Sequence, residues 1–580
     1  MIREEKKDNR ACVIIYRSLT TLYIYKLVIY ENAKKNIMTS SMYILKINVL
    51  AVLVLIPSII PSIVANNKLP RAQTKQGNYI GRQASINGAN VNYWYGIPYA
   101  QQPIGNLRWM PPQVLSTSNG TNIAYSPNAC PQAFNFGILL TEACLTLNVY
   151  APENAINLPV YVWIHGGSFI AGAGIAFNAT PFVSTSMNYS VPIVIVTINY
   201  RLGFLGFLAD QQFYDEKSGI NNRSTTGNYG ILDQMMALDW IKKNIAGFGG
   251  DPEQITIGGE SAGGVSISIL LTSPLIKSGT YQRAIVESGT IWPNFATPLP
   301  TAINNTGNFL RTAVNCTTTQ CLRNLTVDQI IAIQNIVALK NLFQVAASPV
   351  IDGYVLNDIM ENSYARGDFQ KVPLLVGTTT NETSTFTCPL FNNSATIEQV
   401  QAFFNSVYNA TMISQIPEIY GPISTYDNPL SYLNLVYSDS WAHCGSRRIA
   451  SKFFTYGVPS YLFTYHHLIP AAPTCFGVSH ATELIMLFPS FLHDFYPNYN
   501  FTTSEQQLST NMMLYWANFI RTSNPNFEGS PANWDPYTIA SDNDFVLDII
   551  PKMRNSYYNA SCSYLWDSYA VTNNTMTHRA

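Results

Sequence analysis

The stretch Gly258-Gly259-Glu260-Ser261-Ala262-Gly263-Gly264 follows directly on the run Gln254-Ile255-Thr256-Ile257 and leads into an apolar segment beginning at Val265. A strand, a glycine-flanked serine and a helix in succession make the pattern of a nucleophile elbow, a strand-to-helix turn so sharp that the flanking positions have no room for Cβ atoms. Such a turn lifts the serine hydroxyl off the sheet edge toward a cleft. It also sets a helix N-terminus beside the hydroxyl, where negative charge is stabilised. Taken alone, the pattern also fits an ordinary Gly-Ser turn before a helix.

The rest of the chain decides which frame this turn belongs to. Beyond residue 67, short β-rich runs at Val160–Ile164, Ile193–Ile198, Ile255–Ile257, Ala284–Val286, Leu374–Val376 and Tyr461–Tyr465 alternate with helix-length segments. That alternation predicts an α/β fold with a large, mixed, mostly parallel sheet flanked by helices. From Ile231 to Ile245 the residues Leu232, Met235, Met236, Leu238, Trp240 and Ile241 recur at helical spacing, and Gly-Phe-Gly-Gly-Asp ends the segment. With no internal repeat, no long linker and no metal-ligand cluster in the pattern, residues 66–580 read as one domain. Charged residues are 12% of the chain and the net charge is −1, which argues against nucleic acid or an acidic surface as a partner.

A chain this poor in charge needs another source of solubility. About a dozen N-x-S/T sequons run from Asn119 to Asn573, which predicts a glycosylated protein of the secretory pathway, secreted or vesicular. From Met42 the sequence MYILKINVLAVLVLIPSIIPSIVANN has the grammar of a signal peptide, assigned to 42–65 and too interrupted for a membrane span. Residues 1–41 then read as an extension ahead of the true start, the alternative being a cytosolic segment on a signal-anchor helix. No hydrophobic tail or retention signal follows at the C-terminus, so no stable membrane anchor is expected.

Partners for Ser261 can be sought in chain order. About a hundred residues upstream, the strand Val160–Ile164 runs into His165-Gly166-Gly167-Ser168. A glycine-rich loop at that place can aim backbone N–H groups at a developing oxyanion, and the Ala262 amide supplies another. His165 itself suits packing or hydrogen bonding better than the role of base. The loop after Leu374–Val376 contains one carboxylate, Glu382, for which position alone favours a solvated surface charge. After Tyr461–Tyr465 come His466 and His467 at a strand end, then His480 on a long loop free to reach back over the sheet. His480 is the favoured base; His443, His493 and His578 have no comparable context.

At this point the sequence resembles the type-B carboxylesterase/lipase family, the cholinesterase-like branch of the α/β-hydrolases. The stretches that carry the resemblance are GIPYAQQPIGNLRWMPP from Gly96, ACLTLNVYAP from Ala143, VWIHGG from Val162 and VTINYRLGFLGFL from Val196. They continue with GNYGILDQMMALDWIKKNIAGFGGDPEQITIGGESAGG from Gly227, CLRNL from Cys321, GVSHATEL from Gly477 and SCSYLWDSY from Ser561. Together they span nearly all of the chain after residue 77. The resemblance implies a triad of Ser261, Glu382 and His480, an oxyanion hole from Gly167, Ser168 and Ala262, no cofactor and a small-molecule ester as substrate. Oligomeric state is left open.

The family resemblance also pairs Cys130 with Cys144, Cys316 with Cys321, and Cys444 with Cys562. Removal of Cys12 with the leader leaves eight cysteines, so Cys388 and Cys475 remain. Cys388 follows the acid and Cys475 precedes the base; if those loops converge on a triad, a fourth disulfide between the two is expected.

Several positions depart from the family pattern. Between Cys130 and Cys144 the loop is short and has no Trp, so the cation–π site that holds choline in relatives is missing and choline esters are disfavoured. The same loop is a poor lid for a lipid interface, which leaves a general carboxylesterase. Ser168 replaces the family's third glycine, and its N–H is expected to donate still, provided that φ stays negative; Ala481 replaces the glycine after the histidine, a change expected to be tolerated. Glu382-Thr383 places a sequon at Asn381, expected to stay unmodified beside a buried acid. The alternative function is a catalytically idle relative used for adhesion or storage; the presence of serine, acid, histidine and glycine-rich loop together favours the enzyme.

Overall fold

Side-chain alternation along each strand dictates the layering. In the computed structural model, residues 69–118, 120–133, 137–289, 295–340, 348–391 and 394–568 are described. The expected leader 42–65, the upstream residues 1–41 with Cys12, the sequons at Asn119 and Asn573, and His578 lie outside the described residues. Along β4 (Leu158–Ile164), Val160, Val162 and Ile164 enter one apolar cluster, whereas Tyr161 and Trp163 enter another. A strand apolar on both faces must be covered on both, and this one is central in its sheet.

Eleven strands make that sheet. They are β1 (Arg82–Ile86), β2 (Ala89–Pro98), β3 (Thr146–Pro152), β4, β5 (Val194–Ile198), β6 (Gly250–Glu260), β7 (Arg283–Glu287), β8 (Leu374–Thr379), β9 (Ser460–Tyr465), β10 (Asn543–Leu547) and β11 (Lys552–Asn555). Their order is β11-β10-β9-β8-β7-β6-β4-β5-β3-β2-β1. From β5 across to β10 the pairings are parallel. The margins are antiparallel, with β3, β2 and β1 at one side and β11 at the other.

Helices cover each face. On one, α1 (Thr180–Asn188) and α2 (Thr503–Thr522) bring Phe182, Val183, Met512, Trp516 and Phe519 against Tyr161 and Trp163. A capping box starts α2: the Thr502 hydroxyl accepts from the Glu505 N–H while the Glu505 carboxylate accepts from the Thr502 N–H. On the other face, α3 (Tyr229–Asn244), α4 (Ala262–Thr272) and α5 (Cys444–Thr455) supply Leu238, Ile241, Ile267, Leu270, Ile449 and Phe453 to the cluster of Val160 and Val162. The helix read from Ile231 to Ile245 is α3; a 3-10 turn, Ile245–Phe248, and Gly249 at φ 85° terminate it. A third cluster, built from helices between residues 397 and 438, packs around Cys388, Cys444 and Cys562.

The carboxyl ends of β4, β6, β8 and β9 open at one rim of the sheet. Loops that leave neighbouring parallel strands on that side are where an open α/β sheet gathers its ligand-binding groups.

Candidate active site

β6 delivers Ser261 to the rim. The residue takes φ 56° and ψ −124° before Ala262 opens α4, a conformation that costs a non-glycine residue about 1–3 kcal/mol. Two backbone hydrogen bonds hold it: the Ser261 N–H donates to the Glu287 carbonyl (2.9 Å) and the Val265 N–H to the Ser261 carbonyl (2.9 Å). A Cβ at Gly259 would lie 2.6 Å from the Ile164 carbonyl oxygen, and one at Gly263 would lie 2.0 Å from it. The turn therefore needs glycine on both sides because β4 passes directly against it.

The loop after β4 presses on the same turn. A Cβ at Gly166 would come within 2.9 Å of Ser261 Cβ. His165 is buried and stacked on Tyr200 at 4.5 Å, with Nδ1 2.8 Å from the Gly166 carbonyl oxygen. Burial lowers its pKa to about 4, which leaves a neutral packing ring. Ser168 corrects an expectation: its φ is 54°, not negative, and Phe169 follows at 60°. The cause is local. Gly167 accepts from both Ile170 and Ala171 N–H (3.0 Å each), and buried Phe169 packs against Phe207 at 5.0 Å, so the tight loop turns left-handed through Ser168.

Glu382 is not the solvated surface charge that its position in a polar loop suggests. It is fully buried; Oε1 accepts from the Thr379 N–H (2.7 Å) and from the Ser288 hydroxyl, and Oε2 lies 2.6 Å from His480 Nδ1. Burial alone would raise its pKa. His480 and these hydrogen bonds outweigh burial and hold the carboxyl below its ordinary value.

His480 Nε2 is buried without a hydrogen bond among the described residues, yet Glu260 Oε1 is 3.1 Å away. The contact is a charge pair at an angle unsuited to hydrogen bonding, which leaves Nε2 available beside the residue that precedes Ser261. Burial lowers the His480 pKa, but Glu260 and then Glu382 overcome it and push it up to about 9. His466 and His467 are occupied elsewhere: His466 Nε2 lies 3.3 Å from Arg554, and His467 bridges Asp548 and Glu505 at 3.3 and 3.1 Å. His493 is exposed.

The acid and base loops are tied together. Asn381 donates its N–H to the Val478 carbonyl (2.8 Å), and its Oδ1 accepts from the Val478 N–H (3.1 Å). The Cys388–Cys475 bond spans the same pair of loops with Cα atoms 5.9 Å apart. Cys130–Cys144, Cys316–Cys321 and Cys444–Cys562 are also bonded. Ala481 sits at φ 68°, so the replacement of glycine there is accommodated at a backbone cost.

Four residues at the site escaped sequence reasoning. Ser288 and Glu260 touch the acid and the base; Glu287 accepts from Trp516 Nε1 (3.0 Å), and fully buried Glu483 makes no side-chain hydrogen bond among the described residues. Burial raises the pKa of Glu260, Glu287 and Glu483 alike. Glu260 and Glu483 lie within the GGESAGG and HATEL stretches, but nothing in their spacing marks them as buried. Beside His480 stand aromatic rings, Trp441 at 5.2 Å and Phe386 at 5.8 Å, with Phe295 5.9 Å from Trp441.

A mostly parallel sheet covered on both faces, with a serine elbow and a carboxylate–histidine pair on loops at one rim, defines an α/β-hydrolase. The chain belongs to the carboxylesterase family, whose model matches residues 68–565. Human cocaine esterase is 31% identical over 508 residues, 80% of this chain and 85% of that protein. The para-nitrobenzyl esterase of Bacillus subtilis (strain 168) is 31% identical over 79% of this chain and 91% of its own. Among solved structures, a thermophilic pNB esterase superposes with a TM-score of 0.71 at 27% identity, covering 86% of this chain and all of its own. The protein is a carboxylic ester hydrolase.

Proposed function

We propose that Ser261 is the nucleophile, His480 the general base and Glu382 the acid that orients and stabilises the imidazole. His480 Nε2 takes the Ser261 proton as Oγ attacks the ester carbonyl. The oxyanion is received by backbone N–H groups of Gly167 and of Ala262 at the start of α4, while the positive φ of Ser168 fails the condition on which its N–H was expected to join them. His480 returns the proton to the leaving alcohol, leaving an acyl-enzyme, and then activates the water that hydrolyses it. No cofactor enters this scheme.

The reading is carried by the 2.6 Å contact between His480 Nδ1 and Glu382 Oε2, which fixes the ring with its other nitrogen unbonded. The aromatic rings beside His480 favour esters with an apolar group, and the short Cys130–Cys144 loop, which has no Trp, argues against choline esters. Four disulfides support folding in an oxidising compartment, in keeping with a secretory route for a single catalytic domain over 66–580. Among the described residues, no helix is long and apolar enough to cross a membrane. Fluorophosphonate labelling of wild type against Ser261→Ala tests the assignment: the wild type takes one label at Ser261, and equal labelling of the variant would overturn it.

A further inference from the structure

A second histidine–carboxylate pair lies behind the acid, at a position whose sequence context did not mark it out. His443 is buried at the end of the π-helical turn Asp439–His443 that leads into α5. Its Nδ1 lies 2.8 Å from Asp439 Oδ1, and its Nε2 lies 2.8 Å from the Thr379 carbonyl oxygen. Both partners are acceptors. A carbonyl has no proton to give, and the other Asp439 oxygen already accepts from the Tyr420 hydroxyl (2.8 Å). A neutral imidazole carries one N–H, so making both contacts requires protons on both ring nitrogens.

Thr379 connects this ring to the catalytic carboxylate. At the end of β8 its carbonyl accepts from His443, while its N–H donates to Glu382 Oε1 at 2.7 Å. Resting on the triad assignment above, we propose that His443 is a buried imidazolium that fixes Thr379 under Glu382 and supplies a permanent positive charge behind the acid. It is thus a positioning residue for the triad.

The groups that face His443 fit this role. Asp439 and Tyr420 stand on its Nδ1 side, and Glu382 is beyond Thr379. The Tyr558 ring is 4.9 Å away, with Asp544 and Arg554 acting on that tyrosine. Burial lowers the His443 pKa, but Asp439, the Thr379 carbonyl and Glu382 together raise it above its ordinary value. His466 feels the charge in turn, as part of what lowers its own pKa.

A cation here favours ionised Glu382 and disfavours the protonated form of His480, so its removal moves the base to higher pKa. The test compares wild type, Ser261→Ala, His443→Gln and Asp439→Asn. For His443→Gln we expect kcat lowered about tenfold, KM held within about twofold, and the acid limb of the kcat/KM profile shifted upward by about half a pH unit or more, whereas Asp439→Asn, which deletes the opposite charge, should not move the limb upward. A pair that serves only packing would lower stability and leave the limb of His443→Gln in place, and that result overturns the proposal. The ring ¹⁵N spectrum of the histidine-labelled protein reads the charge without turnover and without a variant that must stay folded. Near neutral pH, a His443 ring with both nitrogens protonated supports the proposal, and one bare nitrogen overturns it. A Ser261→Ala variant that keeps wild-type turnover identifies a failure of the triad assignment instead.

Discussion

Glu382 and His480 stand 98 positions apart in the chain and 2.6 Å apart in space. Ser261→Ala, Glu382→Gln and His480→Ala each remove one member of a set that works as a unit, so each is expected to cut short-chain aryl ester turnover by about 10³-fold or more while the protein stays folded. Near-wild-type turnover in His480→Ala, together with its loss in His467→Ala, would move the base to the other histidine.

The pH profile should be displaced to the alkaline side. His480 works as a base only when neutral, and Glu260 and Glu382 hold its pKa above the ordinary 6.5, at about 9. Glu260 is itself raised by burial, to about 7, so the two groups titrate as a coupled pair and the acid limb reports the pair rather than His480 alone. Glu260→Gln should move that limb down toward 6.5. The sign for stability is opposite to that for activity: stability from the charged imidazole is complete below its unfolded pKa and fades as pH rises through the folded one. A limb in Glu260→Gln that stays at the wild-type position rules this account out.

Backbone strain predicts two stabilising changes. Ser168 and Ala481 hold positive φ, where a Cβ costs about 1–2 kcal/mol and glycine's extra unfolded-state entropy returns about 0.5–1 of it. Ser168→Gly and Ala481→Gly should therefore each add about 0.5–1 kcal/mol in urea or thermal unfolding. Destabilisation by either would show that its side chain makes contacts worth more than the strain.

The Cys388–Cys475 bond closes a separation of 87 residues. Replacing both with alanine is expected to cost about 2–4 kcal/mol of stability, chiefly by freeing the unfolded chain. Peptide mapping without reduction should recover the two cysteines in one linked species; their recovery as separately alkylated peptides would refute the bond.

The parts of this fold that repeat a local rule were readable in the sequence. Val160–Ile164 and Leu374–Val376 are apolar on successive residues because helices cover both faces, and Ser261 is framed by glycines because Ile164 leaves no space for side chains. The antiparallel margin of β1, β2, β3 and β11 carries no such continuous apolar signature, so a mixed sheet was expected without its marginal strands being placed from the sequence. Glu382 looked like a surface charge because its burial depends on partners from β7, β8 and the His480 loop, distant in sequence. Ser288, Glu260 and His443 were hidden for the same reason: each acquires its role from a contact across the rim, which no local spacing encodes. The turn at Ser168 failed differently. There the anchoring of Phe169 on Phe207 overrides the side chain's own preference for negative φ.

Because Cys388 and Cys475 bracket the helices between residues 397 and 438, β9 and the strand's following turn, a protease that cuts inside that interval does not divorce the acid from the base. The two cut ends remain one covalent body, and the Asn381–Val478 clasp stays within it. Chains nicked there should migrate as a single species until a reductant is added and as two afterward, with esterase turnover surviving the cut but not the reductant.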